Sequence, residues 1–431
     1  MSSAASETAS ADPRRAPIPW SVWLVLAFAV FIRAGAFNLR HDTLVSDPDG
    51  YRRLARNLLG EGVFGNDEKP TAYRPPLYPL LLVPCLAVED QHLTFFAIRL
   101  LHVVLGVGTV GAVLWLGARW KLGRWSLLAA LLVACDPILI NQSLVVMTET
   151  LATCLAALSL VALTRFDERP SVARAAIVGC CLGLAALCRP TFLPWAGLVV
   201  VAEAWRLPAW SGKAKYGGAM LAALALTLAP WAVRNQLQLS RPIVTTTHGG
   251  YTLLLGNNES YYKFLKTSKR GEVWQSKALE EFDEEGGEGV LNILALNSEL
   301  EADRSLYDWA LGTIRQQPRT FLYASLVRLT RLWGLLPRQV EGAGRSNALR
   351  YATAAWYLAE FILAAAGLAV LRGQLLRSPW LWGALLALTF MAVHAVYWTD
   401  MRMRAPLVPF AALLAACGAA AIAGRFLRRK A

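Results

Sequence analysis

Two carboxylates, Asp47 and Asp49, follow the first long apolar segment of this 431-residue chain, in the sequence SDPDGYRRLARNLLGEG. A carboxylate that meets water at a membrane interface can act as a general base towards a hydroxyl group. The same acid also suits a structural role, because Asp47 can cap a helix that has Pro48 as its first residue and ends at Gly60 or Gly62. The residues by themselves leave both roles open for Asp47.

The helix predicted after Asp47 is amphipathic. Its arginines, Arg52, Arg53 and Arg56, lie away from an apolar stripe spaced i, i+3, i+4, i+7 and i+8. This pattern is typical of a helix that lies flat in the membrane interface. The stripe consists of Tyr51, Leu54, Ala55, Leu58 and Leu59.

A group of arginines falls at the ends of apolar segments where basic residues are not expected. The planar guanidinium group binds phosphate oxygens in pairs, so the group as a whole favours an anionic ligand such as phosphate. Taken singly, each arginine also suits a snorkelling interface residue or the partner of an acid such as Glu149 or Asp400. The group consists of Arg74, Arg99, Arg189, Arg234, Arg402 and Arg404.

Other polar and aromatic residues surround these arginines. Tyr73 and Tyr78 accompany Arg74 in the proline-stiffened sequence TAYRPPLYP. Glu149 suits three roles, which are pairing with an arginine, an early-turn acid of its helix, and substrate binding. His248, in TTTHGGY, is an isolated histidine of the kind that is more often structural than a ligand.

The elements that position these residues are membrane-spanning helices. The chain is 55% hydrophobic and only 17% charged, and several apolar runs reach about 18 residues, which is long enough to cross a bilayer. We therefore predict an all-α polytopic membrane protein with about ten spans, interfacial helices and an extracytoplasmic loop region. The spans are predicted at about 18–37, 94–117, 125–144, 149–165, 173–188, 191–205, 216–233, 350–371, 379–398 and 405–424.

Lysine and arginine in the short loops predict the orientation. If both termini are cytoplasmic, every short cytoplasmic loop is basic. Both termini lie on the same side only if the number of spans is even, which requires that segment 320–337 does not cross the membrane. Arg328 and Arg331 within this segment favour an interfacial helix. The predicted organisation is a cytoplasmic tail (1–17), a transmembrane module (18–233) with a first outer loop (38–93), an extracytoplasmic region (234–349), and C-terminal spans with a basic cytoplasmic tail (350–431).

Several other classes of protein are disfavoured. The net charge of +13 comes from basic residues scattered at the ends of apolar runs, which is not the pattern of a nucleic-acid-binding face. The seven cysteines lie in apolar segments without metal-ligand spacing. There is no P-loop, dinucleotide-binding fingerprint or serine-elbow motif in the sequence.

The order of the motifs resembles a known family. An acid-plus-tyrosine helix after the first span, then RPPLYP, then PWAVRN with GGYTLLLGNN, then MRMRAPLVP before the last span, resembles the polyprenyl-phosphate-sugar-dependent glycosyltransferases of the C superfamily. The similarity extends over about residues 20–424. It is greatest to bacterial protein O-mannosyltransferase-like and lipid A aminoarabinose transferase-like proteins.

The resemblance implies roles for individual residues. The catalytic acid of the family lies four residues before the tyrosine of the interfacial helix, which is Asp47 before Tyr51 in this chain. Arg74 corresponds to a phosphate-binding lysine. Tyr73 stands where aminoarabinose-transferase-like members carry an acid, so a divalent metal site is left in doubt. Arg402 and Arg404 match basic positions near the donor phosphate. Asp49 is assigned to the first turn of the helix.

These observations predict a transferase that acts on the outer face of the plasma (inner) membrane. The donor would be a polyprenyl-phosphate sugar and the acceptor a hydroxyl group of a lipid, glycan or protein, with membrane lipids as the surroundings. Asp47 would be the base, and Arg74, Arg402, Arg404 and Arg234 would hold the donor phosphate. Weaker candidates for substrate binding are Tyr73, Tyr78, Asp49, Glu149 and Arg189.

A transporter or flippase of an anionic lipid-linked substrate is the alternative. Such a protein would also need arginines at the membrane surface and many spans. It should further show charges in the middle of spans, or broken helices repeated in two halves. In this sequence the charged residues gather at span ends, and no symmetry between the two halves is evident.

Overall fold

The computed structural model of the chain is almost entirely helical. It describes residues 19–66, 69–88, 90–206, 210–268, 298–337 and 346–430, together with residues 272, 274, 276, 279, 290 and 293. The predicted N-terminal tail, 1–17, lies outside the described residues, as does most of the acidic run in LEEFDEEGGEGV.

The first half of the described chain contains eleven helices and one short hairpin. A 3-10 turn at His41–Val45 leads from the first helix towards the second. The elements are α1 (Trp20–Leu39), α2 (Tyr51–Gly60), β1 (Gly65–Asn66), β2 (Lys69–Pro70), α3 (Leu77–Leu86), α4 (Gln91–Arg119), α5 (Trp125–Cys135), α6 (Pro137–Ser143), α7 (Glu149–Glu168), α8 (Val172–Cys188), α9 (Phe192–Arg206), α10 (Trp210–Gly212) and α11 (Gly218–Leu239).

The second half contains seven further helices among the described residues. A 3-10 segment at Met401–Leu407 precedes the last of them. The helices are α12 (Gly249–Gly256), α13 (Glu259–Thr267), α14 (Glu299–Gln316), α15 (Pro318–Leu332), α16 (Asn347–Leu371), α17 (Trp380–Val396) and α18 (Val408–Lys430).

The prediction of an all-α polytopic membrane protein is confirmed. Six described helical segments are long and apolar enough to cross a membrane, or seven if the bent pair α5 and α6 forms one span. This pair bends by 47° at Asp136. Helices α8 and α17 are apolar but shorter, so the count of ten spans stays a prediction. The six segments are Trp20–Leu39, Gln91–Arg119, Glu149–Glu168, Trp210–Leu239, Asn347–Gln374 and Met401–Gly424.

Small residues allow the helices of the bundle to pack closely. A Cβ added at Gly179 of α8 would overlap the carbonyl oxygen of Met220, so only glycine permits this approach to α11. A Cβ at Gly367 of α16 would overlap the carbonyl oxygen of Leu414 on α18 in the same way. Glycine thus permits close helix contacts in both halves of the bundle.

Charged side chains lie inside the bundle as well as at its ends, which corrects the prediction that they gather at span ends. Arg33 of α1 is 1% exposed and donates to the carbonyl oxygens of Ala29 and Ala134. Glu360 of α16 and Asp136 at the bend are also buried. The sequence did not reveal this, because Arg33 and Glu360 interrupt apolar runs singly, and part of the surroundings of Arg33, such as the carbonyl oxygen of Ala134, comes from another helix.

A smaller second core forms beside the bundle. It packs aromatic side chains of α13, including Tyr261 and Tyr262, against Leu306 of α14 and Trp274. Arg328 of α15 donates to the carbonyl oxygens of Gly256 and Ala395, and so ties this core to α17. Helix α15 is not among the candidate spans, in line with the expectation that segment 320–337 does not cross, although its depth in a membrane stays a prediction.

Candidate active site

Asp47 lies in the turn that leads into α2. The helix begins at Tyr51, and its N-cap is Gly50, whose φ of +71° reverses the chain at a cost that glycine avoids. The predicted cap at Asp47, with Pro48 as the first helical residue, is therefore wrong. Asp47 nevertheless contacts the helix, because its Oδ2 accepts a hydrogen bond of 3.0 Å from the N–H of Arg53.

The second oxygen of Asp47 is not used in this way. Oδ1 is buried and has no hydrogen-bond partner among the residues that the structure describes. An unpartnered buried carboxylate oxygen is costly, and such groups call for an explanation. This oxygen is thus available to accept a proton or hydrogen bond from a bound molecule.

A polar cavity of 470 Å³ opens beside Asp47. Its walls come from the turn before α2, the first turn of α2, the β1–β2 hairpin and the loop that follows it. Charged and polar lining side chains are Asp47, Asp49, Arg53, Asn66, Thr71 and Arg74, with Tyr73 adding an aromatic wall. The cavity therefore brings together the acid and the tyrosine–arginine pair that lie apart in the sequence.

Arg74 is held on several sides. Its Nη2 pairs with Asp49 Oδ1 at 3.0 Å, and its guanidinium lies over the rings of Tyr51 and Tyr73. The assignment of Asp49 to the first turn of α2 is corrected, since Asp49 precedes Gly50 and binds Arg74 instead. Burial raises the pKa of the Tyr51 and Tyr73 hydroxyls, although Arg74 opposes this, so both rings are neutral neighbours of the cation.

His248 completes the surroundings of Arg74. Its Nε2 lies 3.2 Å from Arg74 Nη1, and its ring packs between Tyr73 and Tyr251. Burial, together with the charge of Arg74, lowers the pKa of His248 to about 3. Because arginine only donates, Nε2 must accept and the proton lies on Nδ1. The sequence marked His248 as an isolated structural residue and did not indicate this contact.

A second charged cluster surrounds Glu149, which is 1% exposed. Arg189 and Arg402 lie 3.4 and 3.7 Å from Glu149 Oε1, and Arg402 also pairs with Asp400 at 3.2 Å. The sulfur of Met403 lies 2.8 Å from Arg189 Nη2. Of the three roles open to Glu149, the structure shows pairing with arginine. The two partners are Arg402, predicted to bind the donor phosphate, and Arg189, predicted to bind substrate.

A mainly apolar groove of 930 Å³ has Arg402 in its lining. Helices α1, α6 and α16 form its walls, with Ile138, Leu144 and Ala352 among the apolar lining residues. A groove with apolar walls and arginines suits an amphiphile that has a long hydrocarbon part and an anionic head. The cationic groups in the lining are Arg40, Arg331, Arg350 and Arg402.

Arg404 and Arg234 are not brought to either cavity. Arg404 is 2% exposed, donates to the carbonyl oxygens of Leu332 and Gly334 at 3.0 and 2.6 Å, and lies 4.0 Å over the ring of Tyr357. Arg234 donates to the carbonyl oxygens of Phe64 and Thr71 and so holds the hairpin loop. Both arginines donate hydrogen bonds to backbone carbonyl oxygens. The sequence could not reveal these partners, because it shows only that the arginines lie near the ends of apolar segments.

Four further predicted residues are absent from the lining of both cavities, namely Tyr78, Arg99, Glu149 and Arg189. The hydroxyl of Tyr78 is buried under α2, 2.8 Å from Nε2 of His102. Arg99 lies over the ring of Phe37. These residues support the elements of the site rather than lining it.

Arg53 was predicted only to lie on the polar side of α2. It lines the cavity, and its guanidinium has no hydrogen-bond or ion-pair partner within the part of the chain that the structure describes. A cation in the first turn of a helix is disfavoured by the helix dipole. The two adjacent arginines, Arg52 and Arg53, near the start of the amphipathic helix were the signal that could have drawn attention to Arg53.

The donor set does not fit a metal ion. Tyr73 stands where the resemblance to aminoarabinose-transferase-like proteins implies an acid, and Asp49 is already paired with Arg74. Within the described residues there is no group of three His, Cys, Asp or Glu side chains that could hold a metal.

Comparisons with known proteins add to this geometry. Residues 73–232 match the family model described as dolichyl-phosphate-mannose-protein mannosyltransferase. The matched segment includes Arg74, Glu149 and Arg189, whereas Asp47 and Arg402 lie outside it. No curated protein matches the chain.

Solved structures of oligosaccharyltransferases share the fold, at TM-scores above 0.5. The archaeal oligosaccharyltransferase AglB from Archaeoglobus fulgidus, in complex with an inhibitory peptide and a dolichol-phosphate, has a TM-score of 0.53 and 14% identity, covering 95% of this chain and 51% of that one. The apo form of the Archaeoglobus fulgidus oligosaccharyltransferase has a TM-score of 0.52 and 16% identity, covering 94% and 51%. ArnT from Cupriavidus metallidurans bound to undecaprenyl phosphate has a TM-score of 0.42 and 15% identity, covering 93% and 77%.

The present chain spans about half the length of the oligosaccharyltransferases, and at these identities the likeness shows the fold alone. The family match independently covers the segment from the tyrosine–arginine pair to α11. The chain is thus a polytopic membrane protein that shares its fold with the oligosaccharyltransferase structures, and its residues 73–232 match the family model of the dolichyl-phosphate-mannose-protein mannosyltransferases.

Proposed function

We propose that this protein is a membrane glycosyltransferase that moves a sugar from a polyprenyl-phosphate donor to an acceptor hydroxyl. The observation that carries the proposal is the buried, unpartnered Oδ1 of Asp47 in a polar cavity that also contains Arg74. The family match over residues 73–232 supports a lipid-phosphate sugar as donor. The oligosaccharyltransferase of similar fold binds a dolichol-phosphate, which agrees with this donor class.

Asp47 acts as the general base. Its Oδ2 is held by the N–H of Arg53, and its Oδ1, which has no partner among the described residues, accepts the proton of the acceptor hydroxyl. The hydroxyl oxygen then forms a bond to the anomeric carbon while the bond from that carbon to the phosphate oxygen breaks. A single displacement of this kind inverts the configuration at the anomeric carbon.

The leaving group needs no general acid, because a phosphate is already a stable anion. Cations that bind the departing phosphate oxygens are sufficient. Arg402 is the residue best placed for this on the groove side, and Arg74 on the cavity side. The apolar groove holds the prenyl chain, and the donor phosphate then lies between Arg402 and Arg74.

The acceptor enters the polar cavity. Its volume of 470 Å³ is sufficient for a polar group such as a sugar ring, and Asn66, Thr71 and Arg53 offer polar contacts. The acceptor is therefore a hydroxyl of a lipid, glycan or protein that approaches from the extracytoplasmic side of the plasma (inner) membrane. The positive charge of the loops on the opposite side supports this orientation.

The test uses the purified full chain in lipid nanodiscs with a radiolabelled polyprenyl-phosphate sugar and envelope lipid as acceptor. Asp47→Asn keeps an acceptor for the Arg53 N–H but removes the base, so we expect transfer to fall by about 10² to 10⁴. The matched control is Asp90→Asn, which makes the same change at the N-cap of α4, where Asp90 accepts from Leu93 N–H at 2.8 Å. Full activity of Asp47→Asn would refute the assignment of the base.

A further inference from the structure

Helix α14 lies against the loops that surround Arg74, although it belongs to a different region of the chain. Glu299, Asp303 and Tyr307 follow the spacing i, i+4 and i+8 and therefore lie on one face of this helix. All three side chains contact the segments that carry Arg74 and His248. This face of α14 thus supports both segments at once.

Glu299 holds the loop before Arg74. Its Oε2 accepts a hydrogen bond of 2.6 Å from Thr71 Oγ1, and its Oε1 accepts one of 2.9 Å from the N–H of Ala72. Oε1 also accepts a short hydrogen bond from Thr247 Oγ1. One carboxylate thus joins two segments that are far apart in the sequence, at the point where Ala72 O also accepts from Thr247 N–H at 3.1 Å.

Asp303 and Tyr307 hold the other side. Asp303 Oδ1 accepts a hydrogen bond of 2.7 Å from the N–H of Gly250, at the start of α12. Tyr307 lies so close to Gly249 that a Cβ there would overlap its hydroxyl oxygen. His248, which accepts from Arg74, is therefore fixed between Thr247, bound by Glu299, and Gly249, packed on Tyr307.

The consequence concerns the position of the Arg74 guanidinium. Ala72 precedes Arg74 by two residues, and His248 receives one of its hydrogen bonds, so α14 supports the backbone before Arg74 and one hydrogen-bond partner of its side chain. The ion pair with Asp49 holds the guanidinium from the other side. We propose that Glu299 is a positioning residue that fixes the Arg74 guanidinium for the donor phosphate, so that α14 belongs to the catalytic unit rather than to a separate outer domain. The role in donor binding rests on the proposed function.

A glutamate suits this role better than its amide. A carboxylate offers two acceptor oxygens with about four lone-pair sites, whereas a glutamine has one acceptor oxygen and an NH₂ group that donates. Glu299→Gln therefore preserves size and shape, but it removes the charge that strengthens the hydrogen bonds from Ala72 N–H and Thr247 Oγ1, and it places an NH₂ group where Oε2 accepts from Thr71 Oγ1. The substitution tests the hydrogen bonds and not the packing.

Two readouts that do not require turnover test the proposal. The first is amide hydrogen exchange of the peptide that contains Ala72, which we expect to become at least about tenfold faster in Glu299→Gln. The second is the Kd for undecaprenyl phosphate without a sugar, which we expect to rise about tenfold. The matched control is Glu301→Gln, on the same turn of α14. Glu301 is exposed and, among the described residues, its side chain forms hydrogen bonds with Ser298, where glutamine also completes the capping box.

The double variant separates positioning from general stability. If Glu299 acts through Arg74, then Glu299→Gln adds no further loss of undecaprenyl phosphate affinity in an Arg74→Ala background. Additive losses in the double variant, or an unchanged Kd in Glu299→Gln despite faster exchange, would overturn the proposal. These outcomes are distinct from failure of the proposed function, which would appear as a wild-type chain that binds undecaprenyl phosphate but transfers no sugar.

Discussion

Nη1 of Arg74 lies 3.2 Å from Nε2 of His248, a residue 174 positions further along the chain. Because a guanidinium has no acceptor, this contact requires the neutral imidazole with its proton on Nδ1. Burial and the charge of Arg74 agree with this state, since they lower the pKa of His248 to about 3. His248 is therefore a neutral acceptor for Arg74 throughout the physiological pH range.

The pH profile of the reaction should reflect this neutral histidine. The folded-state pKa of His248 lies below its usual value of 6.5, so the side chain stays neutral in the folded protein as pH falls from about 8 to 5. We therefore expect the pH profiles of kcat/KM for the donor to be alike near pH 6.5 in the wild type and in His248→Gln, because His248 does not ionise there. Glutamine keeps an acceptor oxygen for Arg74, whereas His248→Leu removes it and should raise donor KM about tenfold. Equal donor KM for both variants would contradict the acceptor role.

Arg402 and Arg404 are two residues apart but have different environments, and their alanine variants should differ accordingly. Arg402→Ala removes a cation from the groove and leaves Glu149 paired with Arg189, so donor KM should rise by about ten- to a hundredfold with little loss of stability. Arg404→Ala leaves the carbonyl oxygens of Leu332 and Gly334 without their donor. We expect it to lower the free energy of unfolding by about 1–3 kcal/mol.

Thermal unfolding in detergent and steady-state kinetics on the same preparations check this contrast. If Arg404→Ala raises donor KM while leaving the unfolding temperature unchanged, the assignment of the two arginines would have to be reversed.

A substitution in the groove should discriminate between donors by chain length. Ala352→Trp places a large side chain on the groove wall. We expect donor KM to rise at least about tenfold for a long-chain polyprenyl-phosphate sugar and less for a short-chain analogue, because only the long chain needs the full groove. Ala355→Trp, on the same helix but outside the groove lining, serves as control. An equal effect of Ala352→Trp on both donors would exclude the groove as the prenyl site.

Asp303 should make the stability of the protein depend on pH. Burial, with a further contribution from Glu299, raises the pKa of Asp303 to about 6, although the hydrogen bond from Gly250 N–H opposes this. The unfolded carboxyl ionises near its usual value of 3.8, so stability falls as pH rises from about 4 to 6. The amide oxygen introduced by Asp303→Asn would still accept from Gly250 N–H, but without a charge.

We therefore expect Asp303→Asn to be more stable than the wild type above about pH 6, by about 1 kcal/mol once solvent screening of this partly exposed group is allowed for. The two proteins should have similar stability near pH 4. Unfolding temperatures measured from about pH 4 to 8 check the sign, and a variant that is less stable than the wild type at about pH 8 would contradict it.

Much of the fold follows from local features of the sequence. The apolar runs that begin near residues 18, 94, 149 and 350 are helices in the structure, and Gly60 ends α2 as the pattern predicts. These features could be predicted because a spanning helix satisfies its own backbone hydrogen bonds and requires only length and apolarity. The start of α2 was misplaced because Gly50, with its positive φ, makes a turn that an aspartate–proline pair alone does not reveal.

The candidate site divides in the same way. The sequence by itself determined which side chains were available, with Asp47 four residues before Tyr51 and arginines near the ends of apolar segments. Only the tertiary structure decided their use. Arg402 pairs with acids beside the groove, whereas Arg404 is buried on backbone carbonyl oxygens, and Glu299 reaches Thr71 across 228 positions. The reason is physical, because the hydrogen-bond partners of these charged groups come from other helices and loops, which only packing brings within hydrogen-bonding or ion-pairing distance.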